Sequence, residues 1–151
     1  MEEDLSNLVR WLEERELRVS SYVPDKRINH PVLKETEIID GIISALKKGD
    51  MNAIELGCEL VIENKRIPFG KILKVKILSS LKSQVRFVSP AYKESLSNLA
   101  IELLSIDYPP REVKELCKLI KKFEPNYTDN ILNKVTSDTN EAKRWLQYLQ
   151  N

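Results

Sequence analysis

The sequence predicts an all-α protein on three observations. Apolar residues recur at helical spacing along almost the whole chain, prolines and glycines punctuate the pattern without pervading it, and a single short stretch has strand character. That stretch, Val85 to Val88, lies between polar neighbours and has no evident pairing partner.

The elements follow in order. Leu5, Leu8, Val9 and Leu12 stand at i, i+3, i+4 and i+7, with Trp11 widening the stripe, and predict a first amphipathic helix. From Val19 to Val32 the chain turns polar and carries Pro24, Asn29, His30 and Pro31, which predicts a long connection. Ile38, Ile39, Ile42, Ile43 and Leu46 predict a second helix, ended by Gly49 in the left-handed conformation and favoured at its negative end by Lys47 and Lys48. Asn52 and Glu55 have capping-box spacing and predict a third helix to about Glu63. Its residues leave little polar surface, so neighbours must cover it on most sides, and Gly57 at its middle predicts a close helix crossing. Pro68 at a first-turn position, then Phe69, Leu73, Ile77 and Leu81, predict a fourth helix.

Ser89-Pro90 supplies a cap and a first-turn proline for a fifth helix carrying Leu96, Leu99, Ala100, Leu103 and Leu104, broken at Tyr108-Pro109-Pro110. Val113, Leu116, Cys117, Leu119, Ile120 and Phe123 predict a sixth, with Pro125 as its end. A short seventh is expected around Ile131, Leu132 and Val135. Asp138 and Glu141 again have capping-box spacing ahead of a closing helix with Ala142, Trp145, Leu146 and Leu149.

Composition bounds the class. The chain has 151 residues, 42% hydrophobic and 31% charged, enough to bury a core without metals or disulfides, so one helical domain over 1–151 is expected. Basic residues number 24 and acidic ones 23, for a net charge of +1, so overall charge gives no reason to invoke nucleic acid. Cys58 and Cys117 form no C-x-x-C pair and suit buried free thiols in a reducing compartment. An acidic amino-terminal Met1-Glu2-Glu3-Asp4 and the lack of any run of about 18 apolar residues lead to the expectation of a cytoplasmic protein without a membrane partner.

One internal similarity stands out. Ala53-Ile54-Glu55-Leu56 recurs as Ala100-Ile101-Glu102-Leu103, and in the helices that follow, Pro68 matches Pro110, Val75 matches Cys117, Ile77 matches Leu119 and Leu81 matches Phe123. A helix, a proline-bearing turn and a second helix repeating at roughly 40 to 47 residues is the period of HEAT and armadillo repeats. On these residues the chain resembles a short HEAT/armadillo-like α-solenoid over about residues 52–123, with 52–82 and 98–123 as helical pairs. The resemblance implies an α-α superhelix, a HEAT-like stack of helical hairpins numbering about six to eight helices, whose broad face holds another macromolecule. Acidic residues of the first helix and Lys143, Arg144, Gln147 and Gln150 of the last suit solvent-facing caps. An irregular helical bundle is the alternative.

Chemistry is sparse. His30 is the only histidine and sits in the proline-bounded connection, so it reads as a loop residue; no metal site and no cofactor is expected. No glycine-rich phosphate loop or nucleophile elbow is present. Glu55, Glu59 and Glu102 interrupt apolar helices, Glu55 serving its own helix start and the others meeting a basic partner or the surface sooner than acting as catalytic acids. An enzyme is therefore not expected.

The one electrostatic irregularity runs from Lys65 to Val88, with seven basic residues and no carboxylate. Lys65, Arg66, Lys71, Lys74 and Lys82 are the candidate binding residues. On a helix Lys71, Lys74 and Lys82 fall within about 80° of one another, while Lys76 points elsewhere. The leading functional expectation is a non-enzymatic protein–protein interaction module of stacked helical pairs, a bacterial immunity or antitoxin-type protein being one specific form. The alternative is nucleic-acid binding through the basic face of residues 65–86.

Overall fold

The computed structural model describes residues 2–22, 31–63 and 70–151, and within them the protein is all-α, with no strand. The helices are α1 (Glu2–Glu14), α2 (Glu16–Val19), α3 (Pro31–Lys47), α4 (Met51–Ile62), α5 (Gly70–Leu81), α6 (Pro90–Leu104), α7 (Glu112–Ile120), α8 (Pro125–Lys134) and α9 (Asn140–Gln150). Turns of 3-10 helix follow α2 at Ser20–Tyr22 and α5 at Lys82–Phe87. Val85 to Val88, the one strand-like stretch, lies mostly in the second of these turns.

Several helix ends form as the sequence predicts, because their signals act within one turn. Gly49 closes α3 with φ +88°, and the N–H groups of Lys48, Gly49 and Asp50 return to the carbonyls of Ala45 and Leu46. Ser89 Oγ accepts the N–H of Tyr92 at 3.3 Å, with Pro90 in the first turn of α6. Other signals are displaced. Asp50, and not Asn52, caps α4 by accepting the Asn52 N–H, and Thr139, and not Asp138, caps α9 by accepting the Ala142 N–H at 3.2 Å. Pro31 opens α3 and Pro125 opens α8, each in the first turn where its missing N–H costs nothing. The expected proline at the start of α5, Pro68, lies outside the described residues, as does His30.

Packing follows a regular rule. Sequential long helices meet in four places, α3 with α4, α4 with α5, α6 with α7 and α8 with α9. From α3 to α7 each also meets the helix two places on: α4 packs on α6 and α6 on α8, while α3 packs on α5, α5 on α7 and α7 on α9. The buried side chains join into one contiguous core running from Leu8 and Trp11 through Leu46, Ile54, Leu60, Ile77, Leu96 and Leu116 to Trp145 and Leu149. Each such leucine or isoleucine contributes about 2 kcal/mol by leaving water.

Gly57 lies where this packing is tightest. A Cβ there would come within 2.6 Å of Leu46 Cδ1 and 3.1 Å of Ile77 Cγ2, so α4 can approach α3 and α5 only because the side chain is missing. At the far end, Lys121, just beyond α7, donates to the Tyr148 carbonyl and lies 4.5 Å from that residue's ring centroid, which fastens α9 back onto α7.

Candidate functional site

Of the five basic candidates, Lys65 and Arg66 lie outside the described residues, and Lys71 falls in the first turn of α5. Lys74 on α5 and Lys82, the first residue of the 3-10 turn that follows it, both reach α7. Lys74 Nζ donates to the Glu63 carbonyl at 2.8 Å and stands 3.9 Å from Glu112, while Lys82 Nζ donates to Glu115 Oε2 at 2.7 Å. Both lysines are largely sheltered, with 13% and 23% of their side-chain surface exposed. Two positive charges of the run thus meet two carboxylates of α7, one turn apart on that helix. Glu112 and Glu115 supply that compensation.

The densest polar constellation gathers on Glu59, at the carboxy-terminal part of α4. Arg18 on α2 donates through Nη1 to Oε1 at 2.9 Å and through Nη2 to Oε2, a bidentate pairing; Arg15 adds Nε to Oε1 at 3.2 Å, and Tyr92 on α6 donates its hydroxyl to Oε2 at 2.9 Å. Arg15 also lies over the Trp11 ring at 4.4 Å and donates to the Trp11 carbonyl, so its guanidinium is held from both sides. Beside it, Asn52 donates to the Arg18 carbonyl at 2.7 Å and to the Tyr22 hydroxyl at 3.3 Å, and Tyr22 donates to Asp50 at 2.5 Å.

Electrostatics match this geometry. Burial alone pushes the Glu59 carboxyl upward, but the hydrogen bonds from Arg18 and Tyr92, the Arg18 charge and the Arg15 hydrogen bond outweigh it and hold Glu59 below the usual carboxylate range. Burial, and then the bond to Glu59, pushes the Tyr92 phenol up to about 12. Each partner is fixed in the charge state that the others need. Glu59 is a spent carboxylate: two guanidinium groups and a phenol occupy both oxygens, and nothing is left to take a proton from a substrate near neutral pH.

Glu102 does not join it. It is exposed on α6, ten residues beyond Tyr92 and so about 15 Å further along the helix axis from the Glu59 cluster. Glu55 is half-buried on α4 and lies 3.7 Å from Arg18. Cys58 and Cys117 are buried free thiols, each pushed up to about 12 chiefly by burial, which leaves almost no thiolate at neutral pH. Among the described residues no group of three or more His, Cys, Asp or Glu side chains could hold a metal ion, and no helix is long and apolar enough to cross a membrane.

The sequence reading named Glu59 but not its partners. Arg15, Arg18 and Tyr92 stand 44, 41 and 33 residues away from it. Comparison with known proteins finds no protein-family model, no curated protein and no solved structure that matches the chain.

Proposed function

We propose that this chain is a non-enzymatic protein-binding module, built from helical pairs stacked in the manner of a short HEAT/armadillo-like superhelix. The observation that carries the proposal is the packing rule: α4, α6 and α8 meet in one succession, α3, α5, α7 and α9 in another, and the pairs α4 with α5, α6 with α7 and α8 with α9 join the two. Repeated pairs that bury one side against the next pair expose a continuous outer surface of helix faces and connections, which suits a macromolecular partner better than a small substrate. The state of Glu59, with both oxygens engaged by Arg18, Arg15 and Tyr92, agrees with a structural use of this carboxylate. Large apolar side chains stand in solvent at the connections, Leu17 on α2 at 91% exposure and Tyr108 between α6 and α7 at 92%. Nucleic-acid binding draws less support, because Lys74 and Lys82 are engaged with Glu112 and Glu115.

Affinity purification of the tagged chain from cells that make it tests this reading. A single protein that co-elutes at a fixed ratio, survives nuclease treatment and is lost on Leu17→Asp or Tyr108→Asp is the expected result. A chain that elutes alone, or with material that nuclease removes, counts against it.

A further inference from the structure

One lysine of α5 turns away from α7. At 100° per residue Lys76 sits about 200° round the axis from Lys74. There it lines an open groove of about 470 Å³ together with Lys47 from α3 and with Val75, Ser79, Ser80 and Ser83. Short serine side chains leave the space open, Val75 supplies an apolar wall, and no carboxylate is among the lining residues. Ser80 donates its hydroxyl to the Lys76 carbonyl at 2.8 Å and Ser83 donates to the Ser80 carbonyl at 2.9 Å, which spends their protons. Ser79 is exposed, and its hydroxyl bonds to no described residue.

The end of α3 would by itself repel an anion. Here that end is quenched: the Lys47 carbonyl accepts Gln84 Nε2 at 3.0 Å, and the Ala45 and Leu46 carbonyls accept N–H groups of the closing turn. What remains among the described lining residues is two ammonium groups and a hydroxyl donor, with no carboxylate.

We infer that the α3–α5 groove binds a small phosphate-bearing molecule. Ammonium groups act as compact point charges on phosphate, and donors lining one groove from α3 and α5, with no guanidinium fork among them, suit a tetrahedral anion better than a planar carboxylate. The volume lies within the range of small-ligand sites. The inference concerns the face of α5 opposite α7 and does not rest on the stacked-pair reading.

Titration with pyrophosphate, followed by amide NMR at ionic strength held constant with KCl, tests it. Saturable shifts confined to Lys47, Val75, Lys76, Ser79 and Ser83 are expected. Lys47→Glu and Lys76→Glu should each weaken binding at least tenfold with the rest of the spectrum unchanged, both side chains being exposed, while Lys143→Glu on α9 should leave it intact. Non-saturating shifts spread over the surface lysines, or affinity unchanged in Lys76→Glu, would overturn the inference. So would citrate binding as tightly as pyrophosphate, or a DNA duplex moving the same amides at lower concentration.

Discussion

Gly57 is the residue on which the packing of three helices turns. Adding one methyl group places it 2.6 Å from Leu46 Cδ1 and 3.1 Å from Ile77 Cγ2, and both of those side chains are fully buried. Overpacking of this kind costs about 1–3 kcal/mol, while alanine recovers about 1 kcal/mol of helix propensity. The two effects oppose each other, and the contact geometry decides between them. Gly57→Ala is expected to destabilise the fold by about 1 kcal/mol, read as a lower midpoint in urea at unchanged slope; a raised midpoint would mean that Leu46 moves aside without loss.

At the scale of the element, α1 and α2 are held to the rest by apolar anchors, Leu8, Trp11, Leu12 and Val19, and by the polar clasp on Glu59. Glu59→Gln leaves Arg15 and Arg18 facing a neutral amide, at an expected cost of about 2 kcal/mol. Its pH dependence has a definite sign. Because the folded carboxyl titrates below its ordinary value of 4.5, the clasp contributes fully above that value and is lost as pH falls through the lower folded value. Acid melts should therefore separate the wild type from Glu59→Gln at neutral pH and bring the two together on acidification; a gap that persists unchanged in acid would contradict the assignment. How much of this was legible in the sequence depends on distance along the chain. Gly49 and Ser89 were readable because turn closure and capping act within a few residues. Asp50 and Thr139 displaced the expected caps by a residue or two because several adjacent side chains could have served. Pro31 and Pro125 were ambiguous, since a proline that ends one helix can equally open the next. The partners of Glu59 and of Lys82 carry no local signal at all, being brought together only when α2, α6 and α7 dock.

Across the whole molecule, α4 to α7 are each packed by neighbours before and after them, whereas α9 rests on α7 and α8. In a stacked array the terminal pair has one interface fewer and opens at lower free energy than the interior. Native-state hydrogen exchange should accordingly find α9 amides exchanging through openings well below the global unfolding energy, with α4 and α6 the last to exchange. Uniform protection from α4 to α9 would instead describe a single cooperative bundle. The packing rule carries a kinetic consequence as well. Since the principal helix contacts join elements at most a few steps apart in the chain, assembly requires only short excursions of backbone to close, with little entropy surrendered before each new contact repays it. If the proposed stacking of helical pairs holds, a nucleus can arise at any adjoining pair of rods and spread outward from there.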